Sequence, residues 1–93
     1  MEYEWDEAKN ARCLRERGFT FDDAVEAFAD PNALIDLDNL VAYGESRYRL
    51  LGSIDGRVHV VIFTERVTKK RIISVRKANR REQKLYHSRQ AGR

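Results

Sequence analysis

Hydrophobic and polar positions near the start of the chain recur with the period of two helices. The first is expected over 7–17, because Asp6 is a favoured N-cap and Gly18 can adopt the positive φ that ends a helix. The second begins at Thr20 in a capping-box pattern, and its apolar positions fall at i, i+3, i+4 and i+7 from Phe21. A proline at position 31 ends it, since the residue before a proline avoids helical geometry.

Alternating positions elsewhere predict strands. Tyr3 and Trp5 alternate with acidic residues, which is typical of a short, half-buried strand. Three longer strands are expected, over 47–54, 57–65 and 70–77. Asp55-Gly56 favours a two-residue hairpin between the first two, and the middle strand is apolar on both faces, which predicts a central position covered on both sides. Residues 32–46 are interpreted as a short strand or extended segment and a loop.

A third helix is expected over about 80–90. Asn79 and Glu82 form a second capping-box pattern, and Leu85 and Tyr86 are the only large apolar side chains of this helix. A helix this polar is weakly docked or leans on another molecule. The predicted order is β-α-α-β-β-β-α, with one further strand if 32–46 forms one. Helices grouped outside an antiparallel sheet define an α+β domain.

Length and composition predict a small globular protein. The 93 residues indicate a single domain over 1–93. The acidic start is unlike a signal peptide, and no apolar run approaches the roughly 18 residues needed to span a bilayer, so a cytoplasmic protein without membrane contact is expected. Cys13 is the only cysteine, which excludes an internal disulfide. Neither a metal nor a cofactor is expected, a zinc site of Cys13 and both histidines being the remote alternative.

Charge is distributed unevenly along the chain. Residues 1–65 hold seven Lys/Arg and fourteen Asp/Glu, whereas 66–93 hold eleven Lys/Arg and only Glu82. The two parts carry −7 and +10, which together give the net charge of +3. A basic block of this kind predicts a surface that binds a polyanion. The alternative is a solvated basic helix without a ligand.

Short motifs occur in a consistent order along nearly the whole chain. In the first half they are Tyr3-Glu4-Trp5-Asp6, Lys9-Asn10, Gly18-Phe19-Thr20-Phe21-Asp22-Asp23-Ala24 and Ala29-Asp30-Pro31. In the second half they are Gly44-Glu45, Thr64-Glu65-Arg66, Arg71-Ile72-Ile73-Ser74, Arg76-Lys77-Ala78 and Arg80-Arg81-Glu82, followed by Tyr86. Their order and spacing resemble BrnT-type toxins of bacterial type II toxin–antitoxin systems. The chain departs from that pattern at Cys13, where the family usually has Asn, and at Glu16-Arg17-Gly18, where it usually has Lys-His-Gly.

This resemblance implies a fold, an activity and partners. The fold would be RelE-like, a curved antiparallel sheet with helices packed on one side. The activity would be that of an RNA-cleaving toxin, which inhibits translation and growth. A ribbon-helix-helix antitoxin of the BrnA type would neutralise the toxin by binding it. The pair would repress its own operon, so the chain would meet operator DNA only through the antitoxin.

Arg76 is the first candidate for catalysis. Metal-independent RNA cleavage uses the 2′-OH of the substrate as nucleophile, and an arginine fork can stabilise the charge that develops at phosphorus. Arg76 follows an apolar stretch at a strand end, where a side chain is rigidly aimed; the alternative is an exposed arginine paired with a carboxylate. Glu65 and Arg66 end the preceding strand and are expected to face Arg76 across the sheet. Glu65 is interpreted as a base, as a group that orients an arginine, or as one half of a structural ion pair.

Further residues are candidates for contacts with RNA. The cations among them are Lys9, Lys77, Arg80, Arg81 and Lys84. Tyr86 is a candidate for stacking on a base or for an acid, although an anchor of the last helix in the core is the favoured interpretation. His59 and Cys13 are interpreted as structural residues. The competing hypothesis for the whole chain is a non-catalytic module that binds nucleic acid or a partner through the same basic surface.

Overall fold

A computed structural model describes residues 2–42 and 45–91 of the chain. Within these residues the chain forms three helices and one five-stranded sheet of order β1-β5-β4-β3-β2. The elements are β1 (Glu2–Glu4), α1 (Glu7–Arg17), α2 (Phe21–Phe28), β2 (Leu34–Ala42), β3 (Glu45–Ile54), β4 (Arg57–Arg66), β5 (Lys69–Lys77) and α3 (Arg80–Ala91). The α+β class is therefore confirmed, and residues 34–42, which the sequence left open, form an edge strand.

Local capping determines where the first two helices begin and end. The Asp6 carboxylate accepts hydrogen bonds from the backbone N–H groups of Ala8 and Lys9, at 2.8 and 3.2 Å. Gly18 ends α1 with a φ of 81°. Thr20 and Asp23 form both hydrogen bonds of a capping box at the start of α2. The predicted bounds of α1 and the predicted start of α2 are therefore confirmed.

The sheet has one parallel pair, so the expected purely antiparallel sheet is wrong at one edge. Strands β2 to β5 form antiparallel pairs, with β4 in the centre as predicted. Asp55 and Gly56 have φ values of 50° and 79°, as the predicted hairpin turn requires. Strand β1, however, runs parallel to β5, with Tyr3 opposite Lys70. Alternation along three residues shows which face is buried but carries no information about the partner strand.

The helices cover both faces of the sheet, which corrects the expectation that they pack on one side. Helix α2 contributes Phe21, Ala24 and Ala27 to a core with Leu50, Val61, Phe63 and Val75. On the opposite face, Ala78 and Tyr86 pack with Leu51, Val58 and Val60. Neighbouring residues of a strand point to opposite faces, and β4 is apolar on both. Each face therefore has to be covered by a helix, α2 on one and α3 on the other.

One side of β5 is only partly covered by a strand. Strand β1 pairs with residues 69–71, so residues 72–77 have no strand neighbour on that side among the described residues. The end of α1 takes its place: the guanidinium of Arg17 donates to the carbonyl oxygen of Val75, and the thiol of Cys13 lies 4.0 Å from the same oxygen. This contact brings α1 beside the end of β5, where Arg76 is located.

Candidate active site

Arg76 forms a two-pronged ion pair with Glu82. Its Nη1 and Nη2 donate to the two carboxylate oxygens of Glu82, each at 2.8 Å. The side chain of Glu82 is 8% exposed and that of Arg76 is 42% exposed. A fork-to-fork pair of this kind fixes the plane of the guanidinium as well as its position. Arg76 is therefore held rigidly at the end of β5, with part of its side chain still open to solvent.

The position of Glu82 follows from the start of α3. Its carboxylate accepts from the backbone N–H of Asn79, and the Asn79 side chain accepts from the backbone N–H of Glu82, both at 2.8 Å. The capping box predicted at these two residues is thus confirmed. The same carboxylate caps the helix and holds Arg76, so the local sequence of α3 determines where the arginine of β5 points.

Two further charges extend this pair into a network. Nη1 of Arg49 lies 3.9 Å from the Glu82 carboxylate, and Arg49 also pairs with Asp36 at 2.8 Å. The hydrogen bond from Arg76 lowers the pKa of Glu82, and Glu82 in turn raises the pKa of Arg76. Hydrogen bonding to Asp36 likewise raises the pKa of Arg49. Glu82, Arg76 and Arg49 therefore stay ionised around neutral pH.

Arg76 lines two clefts. One, of about 440 Å³, also includes Asp36, Asp38 and Arg49. The other, of about 260 Å³, is lined by Arg17, Phe19, Arg76 and Lys77. Its cations and aromatic ring make the second cleft the more favourable one for an anionic ligand with a flat group. Of the five guanidinium N–H groups, Glu82 and the Lys77 carbonyl engage three among the described residues, which leaves donors for such an anion.

Glu65 and Arg66 lie far from Arg76, and the expectation that they would face it is wrong. Arg66 is opposite Lys69 at the start of β5, whereas Arg76 is opposite Val60. Glu65 lies five positions beyond Val60 on β4, or roughly 16 Å away at the usual rise along a strand. Glu65 forms an exposed ion pair with Lys70 at 2.6 Å, and Arg66 one with Glu45 at 3.1 Å. Neither residue can act on the same phosphate as Arg76 in this arrangement.

The other predicted cations lie on two different faces. Lys77 at the end of β5 and Arg80, Arg81 and Lys84 on α3 have exposed side chains close in sequence to Arg76. Lys9 lies on α1, on the opposite face of the sheet. It lines a cleft of about 390 Å³ that also includes Arg12 and Arg17. Four of the five predicted cations therefore lie on the end of β5 and on α3, the elements that carry Arg76 and Glu82, and the fifth lies in the first turn of α1.

Tyr86 is a core residue, and the prediction that it stacks on a base is wrong. It is 6% exposed, and its hydroxyl donates to the carboxylate of Asp30 at 2.6 Å. Burial, followed by this hydrogen bond, raises the pKa of Tyr86 to about 12. The favoured alternative, an anchor for the last helix, is confirmed. His59 and Cys13 are also structural as predicted, since both are buried and Nδ1 of His59 lies 2.7 Å from the carbonyl oxygen of Arg57.

The fold and the arrangement around Arg76 can now be compared with known proteins. The family model described as the ribonuclease toxin BrnT of a type II toxin–antitoxin system matches residues 5–82. The chain belongs to this BrnT family. A search of curated proteins gave no significant match. The matched range includes Arg76 and ends at Glu82, so the ion pair lies within the part that defines BrnT toxins.

Membership assigns this BrnT chain to the ribonuclease toxins, with RNA as substrate and an antitoxin as partner. Among residues 2–42 and 45–91, no group of three or more His, Cys, Asp or Glu side chains is placed to hold a metal ion. No helix in that part of the chain is long and apolar enough to cross a membrane.

Sequence reasoning missed the roles of four residues that surround the site of this BrnT chain. Glu82 was noted as a helix cap, yet as the only acid in a block of eleven cations it was also the one local partner for Arg76. Arg49 and Asp36 carried no signal, since their contact depends on the pairing of β2 with β3. Arg17 was noted only as a departure from the family pattern. Its place in the cleft depends on its hydrogen bond to β5.

Proposed function

We propose that the chain is an endoribonuclease toxin that needs no metal and in which Arg76 stabilises the transition state. The observation that supports this is the geometry of Arg76. Glu82 fixes the guanidinium of Arg76. The Arg76 side chain is 42% exposed and lines two clefts next to the basic end of the chain. In the reaction the 2′-OH of RNA loses its proton and attacks the adjacent phosphorus. The bond to the 5′ oxygen breaks and that oxygen takes up a proton, so that a 2′,3′-cyclic phosphate and a 5′-hydroxyl result. A preorganised cation beside the phosphorus lowers the barrier to this step, because negative charge develops on the phosphate oxygens in the transition state.

The basic side chains near Arg76 serve binding in this proposal. Lys77, Arg80, Arg81 and Lys84 are exposed and lie on β5 and the first turns of α3. Contacts of this type attract phosphates independently of sequence and weaken with salt. We also propose a cytoplasmic site of action, where mRNA is the substrate and its loss stops translation. We further propose that the central meander of β3, β4 and β5 is RelE-like, as the resemblance implies.

The proposed partner is a BrnA-type ribbon-helix-helix antitoxin that covers the same basic surface. Helix α3 exposes its cations and also Leu85, which is 39% exposed. An antitoxin on this helix would block RNA, and the complex would bind operator DNA through the antitoxin alone. Hydrogen exchange in the complex should be slowed over 76–86. Protection confined to α1 and α2 would refute this mode of inhibition.

Expression in bacteria tests the function directly. The chain alone should arrest growth and deplete intact mRNA, and co-expression of the cognate antitoxin should restore growth. Normal growth at verified high levels of soluble protein would contradict the proposal.

A second candidate function is supported by the same ion pair. Because both terminal nitrogens of Arg76 are bonded to Glu82, the arginine is partly neutralised and could be purely structural. The chain would then be a module that binds RNA or a partner without cleaving. Purified protein that binds RNA and leaves it intact would favour this second function.

A further inference from the structure

Two clefts beside α1 share Arg17 as a lining residue. The first also includes Lys9, on the α1 face of the sheet, and the second includes Arg76, so together they make a surface along the open side of β5. We call this surface the edge groove and define it by its cations and its aromatic ring: Lys9, Arg12, Arg17, Arg76, Lys77 and Phe19. Among the described residues that line the two clefts, Glu16 is the only acidic one. The groove is therefore strongly cationic, and it combines cations of α1, from the acidic first part of the chain, with Arg76 and Lys77 from the basic last part.

Arg17 is held in this groove by the fold. Its guanidinium donates to the carbonyl of Val75, an oxygen that is accessible because β1 ends before this part of β5. An exposed arginine on the last turn of a helix normally samples many rotamers. Here one hydrogen bond to the sheet fixes it next to Arg76 and Lys77, so three cations converge on one cleft of about 260 Å³.

Phe19 contributes a flat apolar surface to the same cleft. The side chain is half-buried and packs edge-to-face against His59, with ring centroids 5.1 Å apart. Grooves that bind single-stranded nucleic acid combine cations along the backbone with an aromatic ring on which a base stacks. A duplex offers no such base, since its bases are stacked on each other.

We propose that the edge groove is the path of single-stranded RNA, with Arg17 and Lys77 on the phosphates and Phe19 stacked on an unpaired base next to Arg76. The inference rests on the proposed function for its ligand, RNA. It goes further in assigning the strandedness of the substrate and two contact residues, Arg17 and Phe19, that the sequence did not single out for RNA. It also places Lys9 and Arg12 along the same strand of RNA.

Binding of an uncleavable probe tests the path separately from catalysis. The probe is a fluorescent single-stranded RNA in which every 2′-OH is methylated, so that no nucleophile is present. Arg17→Ala should weaken its binding about tenfold, the effect of losing one charge-assisted phosphate contact. Arg15→Ala is the matched control, because Arg15 is an exposed arginine of the same helix turn and lies outside both clefts. It should change the affinity less than about twofold.

A second pair of probes tests the stacking. Removing one base of the probe should weaken binding by wild-type protein but leave binding by Phe19→Leu almost unchanged, because leucine has no ring to stack on that base. The affinities for the two probes are compared within each protein, so the result stays valid even if Arg17→Ala disturbs the packing of α1. A duplex of the same sequence should not distinguish Arg17→Ala from Arg15→Ala.

Three outcomes would overturn the inference. The first is an equal loss of affinity for the methylated probe in Arg17→Ala and Arg15→Ala. The second is an equal effect of base removal on the affinities of wild type and Phe19→Leu. The third is a duplex that distinguishes Arg17→Ala from Arg15→Ala as strongly as the single strand does. Failure of the proposed function would be seen separately, as intact natural RNA in the presence of protein that still binds the methylated probe.

Discussion

Replacing Glu82 by glutamine should show how much of the fold depends on the pair with Arg76. The substitution keeps the size of the side chain and one carbonyl oxygen, which can still accept from the Asn79 backbone. It removes the charge and turns one oxygen that accepts from Arg76 into a donor. The perturbation is therefore confined to the ion pair, and the helix cap is largely kept.

The expected cost follows from the burial of the two partners. A hydrogen bond to a charged group contributes about 1.5–3 kcal/mol, and breaking a fully buried pair costs about 3–5 kcal/mol. Glu82 is 8% exposed, but Arg76 is 42% exposed and can regain water. We therefore expect a loss of about 2 kcal/mol in the free energy of unfolding. For a domain of this size that lowers Tm by about 8–16 °C.

Urea unfolding at several pH values provides the assay. The fold lowers the pKa of Glu82 from its ordinary 4.5, so its contribution is complete above that pH and is lost as the pH falls through the folded value. The difference between wild type and Glu82→Gln should accordingly be constant near neutral pH and shrink in acid. Glu65→Gln is the control: that carboxylate is 58% exposed in its pair with Lys70 and should cost at most about 1 kcal/mol. Equal effects of the two substitutions would refute the reasoning.

Three further predictions concern other parts of the molecule. Tyr86 should ionise near pH 12 in an absorbance titration. Its contribution to the free energy of unfolding is complete below the ordinary pKa of 10 and is lost as the pH rises through 12, and Tyr86→Phe should not show this loss. Gly52→Ala should cost about 1–3 kcal/mol in urea unfolding, because a Cβ there would lie 2.7 Å from the carbonyl oxygen of Ala27. Lys84→Ala should lower the slope of RNA affinity against salt by about one unit in a titration. Unchanged values would contradict each prediction.

Local signals explain what the sequence predicted correctly. Helix caps such as Asp6 and Thr20 act within a few residues, and Asp55-Gly56 selects its turn by its own backbone preferences. Their structural effect can be inferred without knowing the rest of the fold. The same is true of the capping box at Asn79 and Glu82, which was recognised before the wider role of its carboxylate.

Contacts between distant segments explain what the sequence could not show. The parallel pairing of Tyr3 with Lys70 joins the two ends of the chain, and no periodicity encodes it. The cleft formed by Arg17 and Arg76 depends on that pairing, because the short β1 leaves the side of β5 open. The prediction that Glu65 faces Arg76 was wrong for a different reason. Antiparallel strands joined by a short turn pair the end of one with the start of the next, so counting from the turn would have separated Glu65 from Arg76.

The role of Arg76 requires a substitution that keeps the fold intact. Arg76→Ala removes no core volume, but it would leave the buried carboxylate of Glu82 without its main partner. Arg76→Lys keeps a cation beside Glu82 but loses the planar fork that can hold two phosphate oxygens.

The single-turnover cleavage rate of Arg76→Lys at saturating RNA tests the central claim most directly. Circular dichroism should first show that the variant is folded, and Lys84→Ala serves as a control that changes binding alone. If Arg76 stabilises the transition state, the cleavage rate of Arg76→Lys should fall about 10²-fold while its RNA affinity changes little. Lys84→Ala should keep the wild-type rate. A folded Arg76→Lys protein that cleaves at the wild-type rate would contradict the assignment of Arg76 as the catalytic cation.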